Sequence, residues 1–353
     1  MKNERASGIE NPRRARWRWF NWLGSIVGVG LIGFLFWRLD WRQLFGILLS
    51  ARPEYVFATF ITITLEQVVR AWKWRQILIP LRAIKTSRLF GATMAGYLAN
   101  LLLPLGLSPF VRSWLVAKKQ DLAMSSVLAT VAIDRLVDGI VFTALVIIVV
   151  LFAVIPDPEG NIGFGLTVAA VGSALAILCA FILLACHKRQ SLFGAGFLIT
   201  LADRLPGRLA ARARSAAVTF ADGIVWPREH WRSNVIILSS IVIKLLAASH
   251  LLWAGLAFDV LLAPLAYFAL LAILGFIVIL AQAARVPAGF VVGAIYALSL
   301  FGVNDVTAFA MVMTVMATNI LAVAVFGSWG LWVHGVGFAE LKGPKKVEID
   351  ASH

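Results

Sequence analysis

The stretch NLLLPLGLSPFVRSW, residues 100–114, decides how the whole chain is read. Five of its residues are leucine, so it belongs in an apolar environment, yet it also holds Pro104, Gly106, Pro109 and Arg112. Proline removes a backbone donor and interrupts a helix. In hydrocarbon an unsatisfied backbone group costs several kcal/mol, so a broken helix at membrane depth must be buried in protein or line a polar cavity. Two readings of the stretch follow. In one, a hairpin opens a headgroup pocket, with Asn100 giving an amide, Ser108 a hydroxyl and Arg112 a fork suited to phosphate. In the other, a plain helix-turn-helix lets Arg112 mark the return to the cytoplasm.

Composition supports the membrane setting. The chain has 353 residues, of which 60% are hydrophobic and 14% charged. Soluble domains carry about a quarter charged residues. The formal net charge of +14 accompanies no nucleic-acid-binding motif and reads as basic loops facing anionic lipid. Cys179 and Cys186 share one apolar segment and form neither a disulfide framework nor a metal set; they read as packing residues. Six Lys or Arg precede the first apolar run, which has no small-residue cleavage site and reads as a retained span.

Spans need about 20 apolar residues. They are expected at 19–37, 54–71, 130–155, 162–186, 235–257 and 306–333. Two further stretches, 87–111 and 260–302, are interrupted by Pro and Gly and suit re-entrant hairpins. Basic residues cluster before residue 19, over 70–88, over 187–233 and in the tail, whereas PDPEGN (156–161) and the turn around Asp259 lack them. The positive-inside rule then puts both termini in the cytoplasm. Arg38, Arg42 and Arg52 fall on the outer side and fit an interfacial helix. The expected organisation is a basic N-terminus (1–18), a first membrane repeat (19–155), and a second repeat (162–335) interrupted by a cytoplasmic amphipathic segment (187–233). A disordered tail (336–353) follows.

The two interrupted stretches resemble each other. Pro104 to Asp121 and Pro287 to Asn304 both span 17 residues, and each leads into a long helix. Three spans per half would invert the second half relative to the first, the arrangement by which many transporters build alternating access. The predicted fold is therefore an all-α polytopic membrane protein with six full spans and two broken, re-entrant hairpins in an inverted repeat.

Two further clusters carry charge. In EQVVRAWKWRQIL (66–78), Arg70, Lys73 and Trp74 lie on adjacent turns and read as interface anchors; in the alternative, Arg70, with Glu66, lies inward and helps form the pocket. In AIDRLVDG (132–139), Asp134 and Asp138 share a helix face and Arg135 can pair with Asp138. Each unpaired charge at the bilayer centre would cost about 2.5–3.5 kcal/mol on insertion scales. The triplet reads as a structural pair between helices, a part of the ligand site, or both. The second half offers Arg285, Asn319, Lys244 and His250. It has no metal-spaced His/Asp/Glu set, no phosphate-binding glycine loop and no evident Ser-His-Asp set, so neither a cofactor nor an enzymatic activity is expected.

Together, RAWKWRQIL, NLLLPLGLSPFVRSW, DRLVD, PAGFVVGA and FGVNDVTAFA resemble the lysylphosphatidylglycerol synthase transmembrane, or flippase-like, integral membrane proteins over about residues 20–335. The resemblance implies lipid handling in the bacterial plasma membrane, by flipping of aminoacylated phospholipid or in glycolipid and hopanoid pathways. Bifunctional members carry an aminoacyltransferase domain after the membrane part; this chain ends at AELKGPKKVEIDASH, so lysine transfer is not expected. Arg70, Arg112, Asp134, Arg135 and Asp138 match the family pattern. An acidic residue of the first motif is replaced around Ser108-Pro109, the second motif's Glu falls near Ala294 and its later Arg near Asn319.

The expected function is binding and translocation of an anionic phospholipid, glycolipid or hopanoid-type lipid. The alternative is a non-transporting lipid-binding scaffold for a lipid-modifying enzyme or glycosyltransferase encoded separately. The candidate substrate-binding residues are Arg70, Asn100, Pro104, Arg112, Asp134, Arg135, Asp138, Arg285 and Asn319. The partner is a membrane lipid with an anionic headgroup, and no nucleic acid.

Overall fold

The computed structural model describes residues 41–102, 106–153, 155–156, 160–189, 211, 214–216, 218–220, 223–284 and 288–337. Among these the regular structure is helical: α1 (Trp41–Leu49), α2 (Pro53–Leu78), α3 (Thr86–Leu102), α4 (Ser108–Gln120) and α5 (Met124–Phe152). There follow α6 (Asn161–Arg189), α7 (His230–Leu256), α8 (Pro264–Ala284), α9 (Ala288–Leu300) and α10 (Asp305–His334). Five helices are long and apolar enough to cross a membrane, namely α5 to α8 and α10, with α6 contributing Asn161–Cys179 and α8 Pro264–Ala281. The pair Arg42–Leu49 and Pro53–Leu78, bent by 81°, makes a sixth if it counts as one span. The chain is an all-α polytopic membrane protein.

The helices fall within a few residues of the spans read from hydropathy. The expected first span, 19–37, lies outside the described residues, as do Pro104, Arg285, Pro287 and the tail from residue 338. Of the amphipathic segment 187–233, residues 187–189, 211, 214–216, 218–220 and 223–233 are described. Ser126 Oγ–H donates to the Thr219 carbonyl at 2.8 Å, and the Ser125 and Thr219 hydroxyls also meet, so the segment is tied to the start of α5.

Both interrupted stretches form paired helices. Between α3 and α4 the chain turns through Gly106 at φ +68°, and the Ser108 N–H donates to Asn100 Oδ1 at 2.8 Å. Asn100 therefore satisfies one of the amides freed at the start of α4. With 17 and 13 residues, α3 and α4 reach about 25 and 20 Å, less than a bilayer core. The second pair is uneven: α8 has 21 residues, enough to cross, and α9 has 13.

Two apolar clusters form the interior, and α10 serves both. Its first half packs with α7 and α9 through Phe309, Met311 and Leu298. Its second half packs with α3 through Val323, Leu331, Met94 and Leu98. In lipid there is little hydrophobic drive between helices, so close packing of small residues must hold them. At the α3–α10 crossing a Cβ on Gly330 would lie 2.1 Å from the Gly91 carbonyl oxygen, and one on Gly327 would lie 2.7 Å from Leu98. One sequence expectation fails here: Cys179 is exposed on α6 rather than packed inside.

Helices α2 and α7 run antiparallel along their length. Arg52 N–H donates to the Ala257 carbonyl at one end, Tyr55 stacks on Trp253, and Arg232 donates to Gln76 Oε1 at the other end. Element lengths also recur: α2 has 26 residues and α7 has 27, α4 and α9 have 13 each, and α5 has 29 against 30 for α10.

The crossing yields a direct test. Gly330→Val forces α3 away from α10, and loss of the monodisperse peak in size exclusion, with a lowered Tm, is expected. Gly172→Val on α6, where a Cβ meets nothing within 4 Å, is expected to leave both unchanged.

Candidate functional site: a buried ion-pair cluster

Helix periodicity builds the site. Glu66, Arg70, Lys73 and Trp74 recur at three- and four-residue spacing and line one face of α2, which is buried, while Trp72 is partly exposed on another. Asp134 and Asp138, with Thr130 one turn earlier, line a face of α5. Arg112 comes from α4, one turn beyond Ser108. Ser240, Lys244 and His250 come from α7.

These side chains form one chain of contacts. Arg70 Nη2 donates to Glu66 Oε1 at 2.6 Å and Arg70 Nη1 to Asp138 Oδ2 at 3.0 Å. Lys73 Nζ donates to Asp138 Oδ1 at 2.6 Å and lies 2.8 Å from Asp134 Oδ1, the second an ion pair without hydrogen-bond alignment. Ser240 Oγ–H donates to Asp138 Oδ1 at 3.0 Å, joining α7 to the cluster. Arg112 Nη2 reaches Asp134 Oδ2 at 3.4 Å, the longest of the Arg and Lys ion pairs in the cluster. The Arg112 guanidinium sits 4.9 Å from the Trp74 ring centroid, and the Trp74 indole N–H donates to Thr130 Oγ1 at 3.0 Å. Lys73, Arg112 and Asp134 are fully buried, with 0% exposure.

Charge balance explains why the arrangement is tolerated. Glu66, Asp134 and Asp138 oppose Arg70, Lys73 and Arg112. Taking an ion out of water carries a penalty of several kcal/mol, offset when geometry is good and the remaining polar atoms are bonded. The balance is incomplete at one place. Among the described residues, Arg112 Nε and Nη1 have no hydrogen-bond partner, nor do the buried Ser108 and Thr93 hydroxyls on the same α3–α4 hairpin. Lys244, partly buried over the Phe142 ring at 5.2 Å, adds a fourth cation close by. An apolar patch of Ile77, Ile133, Val137 and Ile236, with Ile224 packed on it, adjoins the cluster.

Of the residues singled out from the sequence, Arg70, Arg112, Asp134 and Asp138 meet in this cluster. Asn100 instead holds the hairpin break. Arg135 is exposed, and the pairing expected between it and Asp138 is replaced by the Arg70 and Lys73 contacts, because position 135 falls on the outer face of α5. Asn319 is exposed on α10 and is not brought to the cluster. Arg285 and Pro104 lie outside the described residues. Sequence reasoning missed Lys73 and Ser240 as members. The signal for Lys73 was its position seven residues after Glu66; Ser240, on a distant helix, left none. Among the described residues no group of three His, Cys, Asp or Glu could hold a metal ion.

Residues 21–327 match the family described as Lysylphosphatidylglycerol synthase TM region. The chain belongs to that family. The match takes in the ion-pair cluster and both helix pairs, so the chain is a multi-pass membrane protein whose charged core lies inside the family region. No curated protein and no solved structure matches the chain.

Removing one member of the cluster strands its partners. Asp138→Ala is expected to destabilise the protein by roughly 3–5 kcal/mol, since Arg70 and Lys73 lose a shared counter-charge. Adding Lys73→Met is expected to recover much of that loss. Thermal unfolding of both variants in detergent measures the difference.

Proposed function

We propose that the protein binds an anionic lipid headgroup at Arg112 and moves that lipid across the bacterial plasma membrane, without catalysing a reaction. The observation that carries this reading is a fully buried guanidinium with two unpartnered nitrogens and one long ion pair. A guanidinium donates bidentately to phosphate or carboxylate, and here either such pair of donors includes Nη2, the atom of the long Asp134 contact. An arriving anion would compete with Asp134, which keeps Lys73 as a counter-ion. The exposed apolar residues Leu101, Leu102 and Phe110 flank the hairpin break and suit acyl chains that stay in lipid. Phospholipid, glycolipid and hopanoid-type lipids with an anionic head all fit this chemistry.

Translocation needs a second arrangement of the helices. The antiparallel α2 and α7 and the recurring helix lengths support an inverted repeat, in which the α3–α4 and α8–α9 pairs are equivalent. In this reading both termini are cytoplasmic. One observation favours the scaffold reading instead. Helices α8 and α9 carry no charged residue, so the charges cluster in the first half and on α7. A site built that way could hold a lipid for a separately encoded lipid-modifying enzyme or glycosyltransferase without moving it.

Native mass spectrometry of lipids bound to the purified protein tests the site. One anionic lipid is expected to be enriched, with affinity falling on the order of ten- to a hundredfold in Arg112→Ala and less in Arg112→Lys. An identical lipid complement in all three proteins would refute it. A flipping assay in liposomes with that lipid separates the readings: accelerated flipping supports transport, and binding without flipping supports the scaffold.

A further inference from the structure

A second basic site lies away from the cluster, where the end of α4, the end of α10 and the start of α3 converge. It is a cavity of about 110 Å³ lined by Arg88, Lys119, Gln120 and His334 above an apolar floor that includes Val116 and Val333. One water needs about 10–15 Å³ of such volume, so there is room for a group much larger than a water. His334 is 4% exposed, and its Nδ1–H donates to the Gly330 carbonyl at 2.8 Å.

Helix capping does not account for this set of charges. Lys119 lies in the last turn of α4, where cations are favoured, but Arg88 lies in the first turn of α3, where the dipole opposes it. Among the described residues no carboxylate lines the cavity, and neither Arg88 nor Lys119 forms an ion pair. The level is that of a membrane interface. Trp329 and Trp332 are exposed on the last turns of α10, and Lys118 lies over the Trp114 ring at 5.1 Å. Polar cations above an apolar floor suit an amphiphile with a phosphate head.

We propose that this cavity binds a phosphate-bearing anion at the membrane interface, independently of transport through the Arg112 site. Val116 and Lys119 continue the face of α4 that carries Arg112, about 10 Å further along the helix axis. The chemistry is that of a phosphate group with the Arg88 and Lys119 cations around it, which either an anionic phospholipid or free phosphate supplies.

The test uses the full chain in phosphatidylcholine nanodiscs carrying phosphatidylglycerol with a photoreactive headgroup, with labelled peptides mapped by mass spectrometry. Labelling is expected on the peptides holding Val116–Gln120 and Val333–His334. In the double variant Arg88→Ala with Lys119→Ala, both residues being exposed and safe for folding, it is expected to weaken about thirtyfold. The double variant Arg82→Ala with Lys85→Ala removes the same charge from exposed neighbours outside the cavity and is expected to leave labelling unchanged. Arg112→Ala is expected to leave it unchanged as well, so failure at one site is distinguishable from failure at the other. Competition by inorganic phosphate assigns the site to free phosphate, and its absence assigns it to the lipid; each supports the proposal. Labelling unaffected by Arg88→Ala with Lys119→Ala, or lost equally in Arg82→Ala with Lys85→Ala, would overturn it.

Discussion

Six charges buried between α2, α4 and α5 set the terms for the rest of the structure. In a low-dielectric interior none of them can remain unpaired at reasonable cost. Three helices must therefore meet at fixed register, with α7 supplying Ser240 to the shared carboxylate of Asp138. This explains why α2 is too polar to rank as a membrane span by itself although it has 26 residues. Besides the Glu66–Arg70 pair within α2, the cations on its buried face find their partners on α5.

The same constraint gives the cluster its asymmetry. Asp138 is held by two cations and a hydroxyl, while Arg112 is held by one long contact and a ring face. A network with a weak last link can exchange that link without losing its centre. The α3–α4 hairpin that carries the weak link is also the backbone break, spanned by Asn100 and closed by a tight approach of Gly96 to Ser108. Local adjustability and incomplete charge pairing thus coincide in one element, whereas the rigid Gly91–Gly330 crossing holds the outer side of α3 to α10.

Much of the architecture was legible from apolar run length and from Pro and Gly positions. The expected spans at 130–155, 162–186, 235–257 and 306–333 all correspond to helices, and both interrupted stretches became helix pairs. The resemblance carried by RAWKWRQIL, NLLLPLGLSPFVRSW and DRLVD led to the family that the chain belongs to. What patterning handled less well was the face presented by single residues. Arg135 and Asp138 lie three apart, close enough to pair on a helix, but α5 turns one outward and the other in.

By itself the sequence determined that this is a membrane protein, where its long helices run, and that Arg70, Arg112, Asp134 and Asp138 are charges needing an explanation. Those conclusions follow from local properties: hydropathy, period and the cost of charge in lipid. Tertiary structure alone decided which cation meets which carboxylate, that Lys73 sits between both aspartates, and that Arg112 keeps two free nitrogens. It also decided that Arg88, Lys119 and His334 share one cavity. Such pairings depend on the register between distant helices, which is set by packing at contacts such as Gly330 on Gly91 and leaves no periodic trace in the chain.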